Sequence, residues 1–308
     1  MRGVRKVVGI NWGSSNFRAY RLDDDAQVLD AIESGPGIAG LDREGMARQM
    51  AELAKRWPDA GPVYACGMIG SNIGWLDAGY VACPVALADL AGALRPASIA
   101  GVDLQIVPGL ACTRDADGAP DIMRGEETEL FGLLASAQLP ATGVVALPGT
   151  HTKWVRMQDG GVAEFLTSMS GEIFDRLTAA GLLASVVDGP ATASPAFFEG
   201  VHAGAQRALG LGALLFGARA RVIRGELQRA DGASYLRGVL IGADIADARV
   251  LFPRLGDASV PLVGAAPVVE LYGAAMAVLG LASHGVESRN AIRHGFVGLD
   301  RLRQACPA

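Results

Sequence analysis

Two short segments place hydroxyls, backbone N–H groups and a cation in an order that suits phosphate oxygens. Gly13-Ser14-Ser15 lies between two apolar runs, Val7–Ile10 and Phe17–Leu22. Successive N–H groups in a tight turn, joined by two hydroxyls, make a concave donor array of the kind that binds anions. Gly149-Thr150-His151-Thr152-Lys153 has the same character and adds the charge of Lys153. Either turn alone reads equally well as an ordinary tight hairpin. As a pair, one near residue 7 and one near residue 144, they read as two phosphate clamps that similar lobes would bring face to face.

A third segment, Gly67-Met68-Ile69-Gly70-Ser71-Asn72-Ile73-Gly74-Trp75, mixes glycine with polar side chains and suggests a loop that a ligand approaches closely. Competing chemistries find no support. The chain has no G-x-x-x-x-G-K-[ST], and no G-x-G-x-x-G follows its first apolar run, which removes the P-loop and Rossmann readings. There is no H-E-x-x-H, and His151, His202, His284 and His294 show no metal-ligand spacing. No G-x-S-x-G marks a hydrolase nucleophile. Cys66, Cys83, Cys112 and Cys306 form no C-x-x-C pair, which fits reduced thiols in the cytoplasm.

The elements that must position these groups follow from pattern. A chain of 308 residues suggests about two domains with a cleft between them. Half of it is hydrophobic and its mean hydropathy is +0.28, a composition for compact folding. The net charge of −5 argues against sequence-independent nucleic-acid binding, which needs a basic face. Basic residues Arg2, Arg5 and Lys6 precede an apolar run too short for a signal peptide, and Val268–Ala282 falls short of a membrane span.

Strands are expected at Val7–Ile10, Phe17–Leu22, Val63–Cys66, Leu104–Val107, Val144–Leu147, Trp154–Met157 and Val260–Val263. Helices are expected at Asp42–Trp57, where Met46, Met50, Leu53 and Trp57 share a face, and at Glu126–Ala137, whose acidic first turn suits a helix N-terminus. Further helices are expected at Gly171–Ala184, Gly204–Arg224, Ser234–Arg249, Pro267–Leu281 and Ala291–Arg303, with a loop at Asp188–Pro195.

Five segments in order along the chain carry a family resemblance: Asn11–Arg18, Gly67–Trp75, Met123-Arg124-Gly125-Glu126-Glu127-Thr128, Pro148–Val155 and Leu240-Ile241-Gly242-Ala243-Asp244. The chain resembles the 2-dehydro-3-deoxygalactonokinases, sugar-acid kinases of the actin/hexokinase/Hsp70-like ATPase fold. The resemblance implies an α/β, two-lobed actin-like ATPase (ribonuclease H-like) fold, with residues 1–142 and 143–308 as the lobes. It implies transfer of phosphate from ATP, with Mg²⁺, to the C6 hydroxyl of 2-dehydro-3-deoxy-D-galactonate.

Residue roles follow from the same resemblance. Gly13, Ser14, Ser15, Gly149, Thr150, His151 and Lys153 would hold the ATP phosphates, with Arg18 adding charge near the substrate. Gly242, Ala243, Asp244, Gly264 and Ala265 would form glycine-rich turns against the adenosine. Arg124 would take the substrate carboxylate, for which its planar fork is suited, or else pair with neighbouring acids. Ser71, Asn72 and Trp75 would meet the sugar, although Trp75 also reads as plain core. Glu126, then Glu127 and Glu172, are the general-base candidates, each also explained as a helix-terminal acid.

Asn11 departs from the family, which ordinarily has Asp there. Asn can offer an oxygen to a Mg²⁺-bound water but neither the charge a hard cation favours nor a base. Reduced turnover is therefore expected, with a non-catalytic binding paralogue, or a kinase of another aldonate or hexose, as the alternatives. A small-molecule acid and ATP are the expected partners, without nucleic acid or membrane. Oligomeric state is left open, a homodimer being one option.

Overall fold

The computed structural model describes residues 6–33, 35–206, 208–288 and 290–305, so Arg2, Arg5 and Cys306 lie outside the described residues. Strands β1 (Val7–Trp12), β2 (Phe17–Leu22) and β3 (Val28–Ile32) form an antiparallel meander. Helix α1 (Arg43–Arg56) starts where the Asp42 carboxylate accepts from the Gly45 N–H at 2.7 Å, an N-cap, and it buries Met46, Met50 and Leu53. It leads to β4 (Val63–Cys66), parallel to β1. After β5 (Tyr80–Ala82) and α2 (Leu87–Gly92), β6 (Arg95–Ile99) and β7 (Val102–Ile106) complete a six-stranded sheet of order β3-β2-β1-β4-β7-β6.

Strands β8 (Gly109–Thr113) and β9 (Pro120–Met123) join β5 in a small sheet, and α3 (Glu126–Ala135) follows. The second large sheet repeats the first. Its members are β10 (Gly143–Leu147), β11 (Thr152–Gln158) and β12 (Gly161–Ser168), then β13 (Val260–Val263) and β14 (Ser283–Val286). Their order is β12-β11-β10-β13-β14, with β11 antiparallel and β13 parallel to β10. Two sheets with a leading antiparallel meander and a parallel continuation are the two-lobed actin-like, ribonuclease H-like arrangement. Between β12 and β13 lies a helical insert: α4 (Ser170–Ala179), α5 (Gly181–Ala184), α6 (Pro195–Gln206), α7 (Leu211–Ile223) and α8 (Arg229–Leu251). Helix α9 (Ala266–Val278) connects β13 to β14, and α10 (Ala291–Ala305) closes the chain.

Alternate residues of β1 and β2 explain the layering. Val8, Ile10, Trp12, Phe17 and Ala19 pack with α1, whereas Val7, Tyr20 and Leu22 face the opposite side. That second side is continuous with Val145, Leu147, Val155 and Phe165 of the other lobe through Leu130, Phe131 and Phe296.

Several expectations need correction. Helix α10, expected within 143–308 as part of the second lobe, packs on the first. Gly132 abuts the backbone of Ala291, Gly9 makes room for the Phe296 ring, and the Tyr64 hydroxyl donates to Asp300 Oδ1 at 2.9 Å. The expected helix Gly204–Arg224 is two helices, α6 and α7, because Gly210 starts α7 from an extended conformation. Gly171–Ala184 is broken after Ala179, where Gly181 takes φ +87°. Gly242, Ala243 and Asp244 lie inside α8 rather than on a turn. Gly200, Gly204, Gly238 and Gly242 instead let α6 and α8 cross with backbones in contact, since a Cβ at any of them would collide with the facing chain.

Candidate active site

The first turn is held by its own ladder and by a neighbouring loop. Gly13 N–H donates to the Asn16 carbonyl, while Ile38 and Ala39 donate to the carbonyls of Gly13 and Ser14. Gly37 lies so close to the Ser14–Ser15 backbone that a side chain would displace it. Ser14 and Ser15 remain exposed. Together with Asn11, Gly13, Asn16 and Arg18 they line a pocket of about 270 Å³. Asn11 therefore sits beside the first turn.

The second turn joins β10 to β11 and rests on a buried polar network. Thr152 Oγ1 is 3.3 Å from the Gly149 N–H and 2.9 Å from the Tyr272 hydroxyl. Tyr272 and Ser170 both donate to Asp244, and Trp154 donates to its other oxygen at 3.1 Å. Burial raises the Asp244 carboxyl to about 6, against the pull of these donors. Asp244, expected at the adenosine, is 2% exposed and lies beneath the second turn through Tyr272 and Ser170. Gly171 lets α4 close onto Gly149 and Thr150, and Gly264 brings the β13–α9 turn to 2.9 Å from the Pro148 carbonyl, measured to the Cβ it lacks. Gly264 and Ala265 therefore border the second turn.

The turns are linked by close backbone approaches. Gly67, at φ +88°, follows β4 and would bring a Cβ to 2.9 Å from the Trp12 carbonyl. Gly125, at φ +104°, packs against Gly67 and starts α3. Glu126 at the head of α3 reaches Lys153, Nζ to Oε1 being 3.6 Å, and its Oε2 is buried without a partner. Lys153 is only 4% exposed, and its charge is directed to Glu126. Glu127 folds back onto Gly125 N–H at 2.5 Å, and burial, reinforced by Glu126, pushes its carboxyl up to about 8.

Glu172 stands differently. It pairs with His151 at 2.7 Å, and that hydrogen bond holds its carboxyl below the usual range. An acid so engaged is a poor proton acceptor, which favours Glu126 among the base candidates.

Ser71, Asn72 and Trp75, expected to meet the sugar, lie on the Gly67–Tyr80 stretch. Ser71 is buried and donates to the Met68 carbonyl at 2.7 Å, whereas Asn72 is exposed. Trp75 is half-buried, and one face of its indole is taken by Arg43, 3.9 Å away. The Arg124 side chain is 5% exposed, with Nη2 donating to the Gly79 carbonyl at 3.0 Å. Its Nε and Nη1 are buried with no acceptor. Gly70 makes the space for Nη1. Nothing in the sequence marks Arg43, Asp77, Gly79 and Tyr80, since only folding brings Arg43 to Trp75 and the others to Arg124.

Among the described residues no group of three or more His, Cys, Asp or Glu side chains could hold a metal, and no helix is long and apolar enough to cross a membrane. Two matched sheets, each with a Gly/Ser/Thr turn between its leading antiparallel strands, are built as in kinases of the actin-like ATPase fold. A family model described as 2-keto-3-deoxy-galactonokinase matches residues 11–299, and the chain belongs to that family. It is 36% identical over 298 residues to a Rhizobium meliloti (strain 1021) protein named Probable 2-dehydro-3-deoxygalactonokinase DgoK1, covering 93% of this chain and 94% of the relative. It is 33% identical over 248 residues to the 2-dehydro-3-deoxygalactonokinase of Escherichia coli (strain K12), covering 79% and 80%. A crystal structure of a Sinorhizobium meliloti protein assigned as a 2-dehydro-3-deoxygalactonokinase superposes with a TM-score of 0.86 at 33% identity, covering 98% of this chain and all of that one.

Proposed function

We propose that this kinase moves the γ-phosphoryl group of ATP to the C6 hydroxyl of 2-dehydro-3-deoxy-D-galactonate, giving the 6-phosphate. The family supports the reaction, and Arg124 is the observation that carries the acid. It is a buried guanidinium with two donors unpaired beside the Gly70–Asn72 loop. Unpaired buried donors cost about 1–3 kcal/mol each, a penalty that carboxylate oxygens would remove. Ser71 and Asn72 supply further polar groups to the same ligand.

Phosphoryl transfer depends on positioning and charge neutralisation. Gly13, Ser14 and Ser15 hold one set of phosphate oxygens and Gly149, Thr150 and His151 another, with Arg18 in the first pocket. The Gly264-Ala265 turn borders the adenosine. Glu126 Oε2, free of any partner, accepts the proton of the C6 hydroxyl as it attacks, while Lys153 fixes the other oxygen. Mg²⁺ typically binds through few protein oxygens together with substrate phosphates, and the donors here fit that use. The Asn11 carbonyl would reach it through water, and the ion would neutralise charge on the transferring group. A coupled ADP-release assay with 2-dehydro-3-deoxygalactonate, its gluconate epimer and neutral hexoses tests the proposal. Turnover confined to the keto-deoxy acids is expected, and turnover with hexoses alone would refute it.

A further inference from the structure

We infer that Tyr80 is the positioning residue that makes Arg124 a reader of carboxylate, and so sets the preference for a sugar acid over a neutral sugar. This rests on the reading of Arg124 given above. The Arg124 guanidinium carbon lies 4.5 Å from the centroid of the Tyr80 ring, and Nη2 donates to the carbonyl of Gly79, the preceding residue. One stretch of chain thus holds the guanidinium at two points, by the ring and by the carbonyl. Nε and Nη1 are left without acceptors. Asp77 is no substitute, standing 3.9 Å from Nη2 with a side chain 60% exposed to screening water.

The ring is itself held in a slot. Tyr80 pairs with Gly109 across the parallel β5–β8 ladder, and a Cβ on Gly109 would lie 2.7 Å from ring atoms Cδ1 and Cε1. The missing side chain is the space in which the ring lies against the strand. A Cβ on Gly70 would lie 3.0 Å from Nη1. Tyr80 is 44% exposed, too open to be explained as core. Its hydroxyl makes no hydrogen bond among the described residues, so the ring face does the holding. An arginine held over an aromatic face spends no donor on it, which leaves Nε and Nη1 for a planar carboxylate.

The test is steady-state kinetics on the full chain carrying Tyr80→Phe, Tyr80→Leu or Arg124→Gln, with KM for 2-dehydro-3-deoxy-D-galactonate, KM for ATP and kcat measured for each. Tyr80→Phe should stay within about twofold of the parent. Tyr80→Leu should raise the KM for the acid about tenfold, the scale of a partly buried cation–aromatic contact, with kcat and the KM for ATP within about twofold. Arg124→Gln should raise the KM for the acid at least as far. A raised KM in Arg124→Gln beside an unchanged one in Tyr80→Leu overturns the positioning role and leaves Arg124 as carboxylate ligand. Unchanged values in both variants remove Arg124 from the substrate and the inference with it. A loss in Tyr80→Phe equal to that in Tyr80→Leu assigns the effect to the hydroxyl and also overturns the inference. If Tyr80→Leu lowers the melting temperature, Tyr80→Met, which also lacks a ring face, is read by the same criteria.

Discussion

Asn11, the penultimate residue of β1, lines the pocket at the first turn, where the family resemblance leads one to expect Asp. Its side chain is neutral and makes no hydrogen bond among the described residues, so it contributes an oxygen but no charge to a metal held by ATP. Restoring the charge with Asn11→Asp should raise the Mg²⁺-dependent rate of ADP release about tenfold, since one added charge near a divalent ion is worth on the order of 1 kcal/mol or more. An unchanged rate would remove Asn11 from the chemistry. At this scale the sequence was informative about residue types. The turns, the RGEET segment and the departure at Asn11 were all legible. Partnership was not: nothing in spacing foretells that Lys153 meets Glu126, that Glu172 is occupied by His151, or that Arg43 covers one face of Trp75.

At the scale of elements, strands Val63–Cys66 and Val260–Val263 match their expected bounds, because each is a short apolar run ended by glycine. The small sheet of β5, β8 and β9 was not legible, its strands being short and mixed in pattern. Glycine was the ambiguous letter. In Gly242-Ala243-Asp244 the residue that suggests a turn is the one that lets two helices touch. Gly242→Ala should lower stability by about 1–3 kcal/mol through overpacking against Val201, with the KM for ATP unchanged. A raised KM for ATP at unchanged stability would restore the adenosine role.

Helix α3 offers a second test. Burial, with Glu126 adding to it, pushes the Glu127 carboxyl up from its ordinary 4.5 to about 8. Between those values the folded state keeps a proton that the unfolded chain releases, so stability falls as pH rises through this window. Glu127→Gln keeps an acceptor for the Gly125 N–H but cannot titrate. Its melting temperature should therefore fall less between pH 5 and about 8 than that of the parent. Parallel curves would place the Glu127 carboxyl in the ordinary range.

For the whole molecule, the repeat near residues 7 and 144 was the decisive sequence feature, because it marks two sheets that each open with an antiparallel pair joined by a Gly/Ser/Thr turn. The boundary near 142 misjudged the ending. Helix α10 returns to the first lobe through Phe296 and Asp300, a connection that no local pattern encodes, so the lobes share one apolar core. A single cleft built this way has one central claim attached to it: that ATP and a keto-deoxy sugar acid meet there and the acid leaves phosphorylated at C6. Phosphorus NMR of the product formed from ATP, Mg²⁺ and 2-dehydro-3-deoxy-D-galactonate tests it directly. The predicted result is one phosphomonoester resonance split by the two C6 protons, equal in amount to the ADP produced. Inorganic phosphate alone, or an ester on another carbon, would contradict it.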